Sequence, residues 1–407
     1  MIEISRSNEN IKADLQITGS KSESNRLLLL NQLFNQALTL ENVSNSEDSQ
    51  LMQKALANTT DLVDIHHAGT AMRFLTAYYS IQEGRTVTLT GSDRMKQRPI
   101  GVLVDALRNL GADISYAENE GFPPLKINGK KITASEITIP ANVSSQYITA
   151  LMLIGTQLEN GLTITLEGKI ISVPYILMSI QLLNRIGVKA EMIGQEIKIP
   201  FSPSIEPKTL QVESDWSSAS YYYSLVALSP NSEISISTYF EDSLQGDSAL
   251  QSIYHDNFGV ISTFENGKLT LKNNPDFDYA DIITLDLNNT PDIAQTIAAT
   301  CVGLGLKCHF TGLETLKIKE TDRLQALQNE LSKFGAIVII TDDTLSITGY
   351  NIFEETPVLA TYNDHRMAMC MAPLAVKFPI KIENEMVVEK SYPTFWEDWK
   401  TLGFDIK

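Results

Sequence analysis

The sequence predicts an α/β protein of two similar domains, each built from three repeated helix-and-strand units. Three observations support this fold class: a length of 407 residues, an ordinary globular composition, and a glycine that recurs at a nearly constant interval. Single hydrophobic cores stop growing at about 250–300 residues, so a chain of this length is expected to divide. Hydrophobic residues make up 43% and charged residues 20% of the chain, which provides enough apolar material for both domains.

The repeat is marked by glycines that follow apolar segments with helical periodicity. Gly111, Gly187, Gly259, Gly335 and Gly403 lie 76, 72, 76 and 68 residues apart. Before the fourth of them, leucines and a phenylalanine recur every three or four residues, which indicates a helix that ends at the glycine. Strand-like residues follow each glycine. The spacing predicts a repeated unit. The alternative is that the glycines merely close the helices of an ordinary α/β protein.

Hairpins are expected after two of these helices. Residues 338–340 and 345–347 are apolar and β-branched, and they flank the turn Thr341-Asp342-Asp343. Residues 269–271 follow Asn266-Gly267, a pair that is typical of a hairpin turn.

A sixth unit is expected near Ala57, but the glycine is missing there and the chain soon reaches Ile65-His66-His67, which predicts a shortened unit. Six units divide into two groups of three. The boundary is placed near residues 212–215, after a proline-bearing segment. The prediction is an inserted domain of residues 19–214 and a discontinuous domain of residues 1–18 and 215–407. Because ligand sites favour domain interfaces, the active site is expected in the cleft between them.

Composition also limits the functional class. No stretch reaches the roughly 18 apolar residues that span a bilayer, and no export signal is recognisable, so no membrane partner is expected. The cysteines Cys301, Cys308 and Cys370 have neither disulfide nor zinc-site spacing. These features predict a cytoplasmic protein. A net charge of -17 argues against nucleic acid as a partner, whereas a small anion could still bind in a focused basic pocket.

Two compact polar runs stand out against this acidic background: Lys319-Glu320-Thr321-Asp322-Arg323 and Tyr362-Asn363-Asp364-His365-Arg366. If the first run opens a helix, Lys319 and Arg323 stand at i and i+4 on one face, where both cations can bind phosphate or carboxylate. Glu320 beside them is a candidate proton carrier. The alternative is a solvated helix face whose ion pairs contribute little.

A polar turn, Gly19 to Arg26, precedes a run of four leucines, which is the layout of a helix N-terminus. Backbone N–H groups and the partial positive charge of such a terminus favour an anion, and Lys21 and Ser22 add a cation and a hydroxyl. The alternative is simple capping of the helix by Ser22 or Ser24. The spacing is not that of a Walker P-loop.

Similar polar turns recur along the first half of the chain. Residues 69–73 and 94–99 each contain arginine, and Ser144-Ser145-Gln146 and Ser172-Val173-Pro174-Tyr175 place uncharged groups before apolar helices, where they could also be caps. Many cations at element boundaries imply ligands with several anionic groups. These cations are Lys21, Arg26, Arg73, Lys96, Arg98, Lys319, Arg323, Arg366 and Lys390.

The same motifs identify a similar family. Over essentially its whole length the chain resembles the 3-phosphoshikimate 1-carboxyvinyltransferases, or EPSP synthases, of the enolpyruvyl transferase family. The motifs that carry the resemblance are Ser20-Lys21-Ser22 with Asn25-Arg26, Ala68-Gly69-Thr70-Ala71-Met72-Arg73, Arg98-Pro99-Ile100-Gly101, Ser144-Ser145-Gln146, Leu244-Gln245-Gly246-Asp247, Pro291-Asp292, Lys319 to Arg323 and Asn363 to Ala368.

The resemblance implies a fold, a reaction and its partners. The fold is the inside-out α/β barrel of these transferases. The reaction transfers the enolpyruvyl group of phosphoenolpyruvate to the 5-hydroxyl of shikimate 3-phosphate and releases phosphate, on the pathway to chorismate and the aromatic amino acids. Both substrates are small molecules, no cofactor or metal takes part, and a monomer is expected.

The resemblance also assigns residues to each substrate. Shikimate 3-phosphate would be held by Lys21, Ser22, Arg26, Ser144, Ser145, Gln146, Ser172, Tyr175, Asp292, Thr315 and Lys319. Phosphoenolpyruvate would be held by Lys21, Gly69, Arg98, Gln146, Arg323, Arg366 and Lys390. The reaction needs an acid to protonate the methylene carbon and a base toward the hydroxyl. Glu320 and Lys21 are the expected proton donors, and Asp292 is the expected base.

Three positions depart from the family pattern: His67, Phe74 and Thr315. They bear on affinity, and Phe74 also on the turn that carries Gly69. One rival is the UDP-N-acetylglucosamine enolpyruvyl transferase, which shares the fold but places a reactive cysteine on a mobile loop, whereas no cysteine precedes Cys301 here. Another is a silent homologue that only binds ligands. It should have lost Lys21, Asp292 or Glu320, and all three are present.

Overall fold

The computed structural model describes residues 1–6, 10–170 and 173–407. The chain divides into two compact units. The inserted unit is Gly19–Val212, and the discontinuous unit combines Met1–Thr18 with Glu213–Lys407. Among the described residues, no helix is long and apolar enough to cross a membrane.

Strands and helices are numbered along the whole chain. The inserted unit contains the strands β3 (Leu38–Glu41), β4 (Leu62–Asp64), β5 (Thr86–Thr90), β6 (Asp113–Tyr116), β7 (Leu125–Asn128), β8 (Glu136–Pro140), β9 (Leu162–Glu167), β10 (Glu191–Ile193), β11 (Glu196–Ile199) and β12 (Lys208–Gln211). Its helices are α1 (Lys21–Leu33), α2 (Glu47–Leu56), α3 (Gly69–Ser80), α4 (Gly101–Leu110), α5 (Ser145–Gly155) and α6 (Val173–Arg185).

The discontinuous unit contains the strands β1 (Ile2–Ser5), β2 (Lys12–Leu15), β13 (Glu233–Ser237), β14 (Val260–Glu265), β15 (Lys268–Asn273), β16 (Ile282–Asp286), β17 (Lys307–Thr311), β18 (Ala336–Ile340), β19 (Leu345–Tyr350), β20 (Val358–Leu359), β21 (Ile380–Ile382) and β22 (Asp405–Ile406). Its helices are α7 (Trp216–Leu228), α8 (Leu250–Phe258), α9 (Ala294–Leu304), α10 (Arg323–Leu331), α11 (His365–Met371) and α12 (Phe395–Thr401).

One sheet topology recurs in both units. In β4-β5-β7-β6, the first two strands are parallel, and the following two form an antiparallel hairpin whose second strand pairs with β5. The same order of pairing is found in β8-β9-β11-β10, β2-β13-β15-β14, β16-β17-β19-β18 and β20-β21-β1-β22. The remaining sheet joins only β3 and β12, in parallel. This two-stranded sheet belongs to the repeat that lacks the glycine, which the sequence predicts to be shortened.

The repeated glycines lie where a helix gives way to a strand. Gly111, Gly187, Gly259, Gly335 and Gly403 all have positive φ, between 67° and 106°. A residue with a Cβ rarely adopts this conformation, so glycine is the natural residue at these helix ends. Both predicted hairpins are confirmed by the antiparallel pairing of β14 with β15 and of β18 with β19.

Some helices are buried on all sides and form the centre of each unit. Every residue of α3 is buried, and so is every residue of α5 except Gln146 and of α7 except Ser217. Apolar residues all round a helix are typical of a core helix rather than a surface one. Because the sides of these helices are covered, their N-terminal ends are the places where they present polar groups.

Candidate active site

The first helix of the inserted unit begins at Lys21. Ser20 caps it by accepting a hydrogen bond from the backbone N–H of Glu23, so the alternative of a cap at Ser22 or Ser24 is wrong. The Lys21 ammonium lies 3.7 Å from a carboxylate oxygen of Asp48, which is only 5% exposed. Sequence reasoning missed Asp48. Its position in the first turn of α2 carries no signal for a site, since acidic residues favour helix N-termini in general.

Arg26 is enclosed by α1, α5 and α6. Its guanidinium donates to the backbone oxygens of Ser22 and Tyr175 and to the hydroxyls of Thr149 and Ser179, over 2.8–3.4 Å. Burial lowers the pKa of Arg26 to about 10, so it is still a cation at neutral pH. Three of the residues predicted to hold shikimate 3-phosphate are therefore close together.

Phe74, one of the departures from the family pattern, is fully buried, and its ring centroid lies 5.7 Å from the Arg26 guanidinium carbon. The aromatic face supports a buried cation at this distance.

Gly69, Arg98 and Gln146 form a second group in the inserted unit. A Cβ on Gly69 would lie 2.5 Å from Nη1 of Arg98, so only glycine lets the arginine approach this closely. The amide of Gln146 donates to the hydroxyl of Thr70 at 3.1 Å, which joins the first turns of α3 and α5. Among the described residues, no side chain accepts a hydrogen bond from the Arg98 guanidinium. Its donors are therefore available to a ligand.

Ser144 and Ser145 stand at the start of α5. Ser144 caps the helix by accepting from the backbone N–H of Gln146, as the capping alternative predicts, and Ser145 is largely buried. The hydroxyl of Tyr147 donates to the carbonyl of Pro99 at 2.7 Å, which fixes the segment that carries Arg98 against this helix.

In the discontinuous unit, Asp292 lies at the centre of a cluster of cations. One of its carboxylate oxygens is 3.4 Å from Lys319 and 3.1 Å from Arg323, and the other is 3.4 Å from Arg366. Arg366 also donates to the Asp292 backbone carbonyl at 3.0 Å. Burial alone would raise the pKa of Asp292, but Lys319, Arg366 and Arg323 outweigh burial and hold the pKa well below its usual range.

Glu320 links two further cations. One of its oxygens accepts from Lys390 at 2.6 Å and the other from Arg323 at 3.0 Å. Arg323, which is 2% exposed, also makes a two-point ion pair with the fully buried Asp364, at 2.7 Å and 3.2 Å. Four of the five N–H donors of the guanidinium are thus engaged by described residues, and one on Nη1 is left for a ligand. The motif Asn363 to Ala368 contains Asp364, but the sequence alone does not show that its carboxylate pairs with Arg323.

The expected helical spacing of Lys319 and Arg323 is wrong. Asp322 caps α10 by accepting from the backbone N–H of Gln325, so the helix begins at Arg323. Lys319 ends the preceding short 3-10 helix, Glu314–Ile318, and is not on α10. Both cations nevertheless contact the same oxygen of Asp292, because the turn between the two helices brings them to it from different directions.

Some predicted residues lie outside these groups. Lys96 pairs with the exposed Glu118 at 2.8 Å, and Arg73 is buried and donates to the carbonyls of Gly69 and Pro99. The hydroxyl of Thr315 is buried and has no hydrogen-bond partner among the described residues. Ser172 lies outside the described residues.

A cavity of about 350 Å³ lies elsewhere in the inserted unit. Gln32, Tyr78 and Gln157 are among its lining residues, and they come from the C-terminal ends of α1 and α3 and from the turn after α5. The motif residues stand at the N-terminal ends of the same three helices. Because a helix of 13 residues is about 20 Å long, the cavity is distinct from the candidate active site.

Comparison with known proteins decides the family. The family model for EPSP synthase (3-phosphoshikimate 1-carboxyvinyltransferase) matches residues 53–399. The chain belongs to the EPSP synthase family. An EPSP synthase family protein of Bacteroides fragilis, named 3-phosphoshikimate 1-carboxyvinyltransferase, is 46% identical over 98% of this chain and 97% of its own length. A protein of the same name from Shewanella piezotolerans is 34% identical over 97% of this chain and 98% of its own.

Solved structures show the same fold. The EPSP synthase of Acinetobacter baumannii superposes with a TM-score of 0.80 at 20% identity, over 100% of this chain and 99% of that one. The enolpyruvyl transferase NikO of Streptomyces tendae gives a TM-score of 0.74 at 14% identity, over 100% and 98%. The predictions of EPSP synthase family, fold class and enzyme class, a carboxyvinyltransferase, are confirmed. The predicted activity is the one for which the family is named.

Proposed function

We propose that this enzyme transfers the enolpyruvyl group of phosphoenolpyruvate to the 5-hydroxyl of shikimate 3-phosphate by addition and elimination. The observation that carries the proposal is the cluster in the discontinuous unit. There, Asp292 contacts Lys319, Arg323 and Arg366, and Glu320 joins Arg323 to Lys390. Carboxylates that can move protons stand among cations that can bind a phosphate and a carboxylate, and this reaction needs both.

Shikimate 3-phosphate is assigned to the helix starts of the inserted unit together with Asp292, Thr315 and Lys319. Lys21 stands at the first position of α1, where the helix terminus adds its own partial positive charge. The hydroxyl of Thr315 is buried and has no partner in the described part of the chain. This supports a role in ligand binding, because a buried polar group without a partner is costly unless a ligand satisfies it.

Phosphoenolpyruvate is assigned to Lys21, Gly69, Arg98, Gln146, Arg323, Arg366 and Lys390. Arg98 supports this assignment because its donors are available, and Arg323 has one N–H left on Nη1. Arg366 makes three hydrogen bonds to Asp292 and Ser217, which leaves Nε and one N–H of Nη1 free of described partners. These donors suit a ligand that carries two anionic groups.

In the proposed reaction, a proton moves to the methylene carbon of phosphoenolpyruvate, and the shikimate hydroxyl attacks the neighbouring carbon while losing its proton. Glu320 and Lys21 are proposed as proton donors and Asp292 as the base. The depressed pKa of Asp292 makes it a weak base in the free enzyme. Substrate anions that share its cations would weaken their hold on Asp292 and raise its pKa, so the base would become active only when the substrates are bound.

The second half of the reaction removes a proton from the carbon that was protonated in the first half. Loss of a proton from the new methyl group and departure of phosphate restore the double bond in the product. Cations that contact the phosphate stabilise the charge that develops on it as it leaves. We further propose that the protein is a monomer in the cytoplasm. The three buried free cysteines support the compartment, because reduced thiols suit it.

The test is phosphate release by the purified protein from phosphoenolpyruvate with shikimate 3-phosphate. Glu320→Gln and Asp292→Asn should each lower kcat by about 10²–10⁴-fold, the usual contribution of a general acid or base. Lys96→Met is the matched control, since Lys96 pairs with the exposed Glu118 and with no other carboxylate among the described residues, and its kcat should equal that of the wild type. Release without dependence on Glu320 or Asp292 would remove these residues from the mechanism.

The same assay separates the rival acceptor. UDP-N-acetylglucosamine should give no phosphate release. Cys301 and Cys370 are fully buried, and burial raises their pKa well above the usual thiol value, so neither supplies a reactive thiolate. Release with UDP-N-acetylglucosamine and none with shikimate 3-phosphate would overturn the proposed function.

A further inference from the structure

Ser217 is the one residue of α7 that is not buried, and its hydroxyl is joined to two charged groups. It accepts a hydrogen bond from Nη2 of Arg366 at 3.1 Å and donates its own proton to Oδ2 of Asp247. Asp247 is 6% exposed. The result is a continuous chain of hydrogen bonds from Asp247 through Ser217 to Arg366, which the proposed mechanism does not use.

The segment that carries Asp247 is held firmly against α7. Asp247 lies in a short 3-10 helix, Gly246–Ala249. The preceding residue Gln245 accepts from the backbone N–H of Trp216 at 3.0 Å and donates to the carbonyl of Ser214 at 2.9 Å. This anchoring fixes the distance between Asp247 and the first turn of α7. The contact of Asp247 with Ser217 is therefore fixed by the hydrogen bonds of the neighbouring Gln245.

We infer that Ser217 and Asp247 are positioning residues that orient Arg366 for phosphoenolpyruvate, and that only the ionised form of Asp247 does so fully. This inference rests on the proposed function, because it assigns Arg366 to that substrate. Neither residue touches the reacting atoms.

The direction of the hydrogen bonds explains the role of the charge. An ionised carboxylate can only accept, so it fixes the Ser217 proton on its own side and leaves the serine oxygen lone pairs for Arg366. A protonated Asp247 can donate to the same serine oxygen and compete with Arg366 for it. The charge-assisted form of the chain is also the stronger one.

Charged groups on three other elements face Asp247. Arg366 on α11 favours the ionised form, whereas Asp292 before α9 and Asp215 at the start of α7 oppose it. Burial is the largest influence, and the pKa of Asp247 is raised to about 6. The proposed orientation of Arg366 should therefore be lost as the pH falls from about 7 to 5.

The experiment compares the wild type with Asp247→Asn, which is the uncharged isostere, by phosphate release from pH 5 to pH 8. The quantity is the ratio of the two kcat/KM values for phosphoenolpyruvate at each pH. Titration of the substrate itself cancels in this ratio. We expect a ratio near one at pH 5 and about ten at pH 8, with a midpoint near pH 6, because kcat/KM reports ionisation in the free enzyme.

Two serine variants test the connection. Ser217→Ala breaks the chain, so it should raise the KM for phosphoenolpyruvate about tenfold at pH 8, and adding Asp247→Asn should have little further effect. Ser217→Thr keeps the hydroxyl and should restore the KM to within about twofold of the wild type. Shikimate 3-phosphate is not assigned to Arg366. Its KM should therefore change less than twofold in Ser217→Ala, in the double variant and in Ser217→Thr.

The outcomes are separable. If the wild type releases no phosphate, the proposed function is wrong. If it turns over but the ratio is the same at pH 5 and pH 8, Asp247 acts only through the fold and the inference is wrong. Failure of Ser217→Thr to restore the KM, or full additivity of Ser217→Ala and Asp247→Asn, would also overturn it. Thermal unfolding of each variant at pH 8 shows whether it is folded. If Asp247→Asn is unfolded, the Ser217 variants decide the test, and if a Ser217 variant is unfolded, Asp247→Asn decides it.

Discussion

At the residue scale, the close approach of Arg98 to Gly69 restricts which residue can open α3. Gly69→Ala would place a methyl group 2.5 Å from Nη1 of Arg98. The guanidinium is the end of a flexible side chain, so it should move away while the helix stays in place. We expect the KM for phosphoenolpyruvate to rise about tenfold or more through loss of a charged contact, measured by initial rates of phosphate release.

Gly101→Ala is the matched control. Gly101 also opens a helix of the inserted unit, but a Cβ there meets nothing closer than 3.5 Å. Its KM values should stay within about twofold of the wild type. Equal effects of the two substitutions would mean that loss of glycine flexibility, and not displacement of Arg98, is responsible.

Asp364 gives a second prediction at this scale. It is fully buried, forms the two-point pair with Arg323 and caps α11 by accepting from the backbone N–H of Arg366. Asp364→Ala removes one of the three described carboxylates that contact the buried Arg323. The free energy of unfolding should fall by about 3–5 kcal/mol, measured by urea titration. Asp342→Ala removes an exposed pair with Lys317 and should leave the free energy of unfolding unchanged. A loss for Asp364→Ala no larger than that of the control would contradict this account.

Residues of the site could be predicted from sequence when their own neighbours formed a motif. Lys21, Arg98 and Glu320 stand in such runs. Asp48 and Ser217 could not be found this way, because their roles come from partners 27 and 149 residues away along the chain. A carboxylate in the first turn of a helix and a serine in an apolar helix have ordinary local explanations, and only tertiary contacts distinguish them.

At the element scale, the N-cap of α10 decides where the helix begins and hence where Arg323 points. The Asp322 side chain accepts from the backbone N–H of Gln325 at 3.2 Å. Asp322→Ala should lower the free energy of unfolding by about 1 kcal/mol, whereas Asp322→Asn, which can cap equally well, should cost much less. Urea titration followed by tryptophan fluorescence measures both. Equal losses would show that the charge of Asp322, and not its cap, stabilises this helix start.

Element ends were predictable where one residue type is required and less so elsewhere. The five repeated glycines all adopt positive φ, so their spacing correctly located five helix ends. The start of α10 was placed at Lys319 instead of Arg323, because charge periodicity does not reveal which of several polar residues caps a helix. The same ambiguity led to Ser22 or Ser24 in place of Ser20 as the cap of α1.

At the scale of the whole molecule, the described residues form three sheets in each unit, and five of these six sheets follow one topology. A sequence period of 68–76 residues could predict the repeat because five of its six copies end a helix at the same glycine. It could not predict the sheet order, since the pairing of β1 with β21 and β22 joins opposite ends of the chain. Local sequence carries no signal for such a distant partner.

The pH dependence of stability belongs to the whole molecule, because the cluster of the discontinuous unit contains carboxylates with opposite shifts. The pKa of Asp247 is raised to about 6, mainly by burial. This group favours the folded state below its unfolded value near 4, and the benefit is lost as the pH rises to about 6. The loss amounts to about 2–3 kcal/mol. Asp247→Asn should therefore be more stable than the wild type at pH 8 by about this amount, and equally stable near pH 4.

Asp292→Asn should show the opposite behaviour. Burial alone would raise the pKa of Asp292, but its three cations lower it, so the ionised form stabilises the folded state above pH 4 and this stability is lost only in stronger acid. The variant should be less stable than the wild type at pH 8 by about 3–5 kcal/mol. All three tryptophans, Trp216, Trp396 and Trp399, are buried in the discontinuous unit, so their fluorescence during urea unfolding reports on the unit that contains both carboxylates. If both variants shift stability in the same direction at pH 8, the opposite assignment of the two carboxylates is wrong.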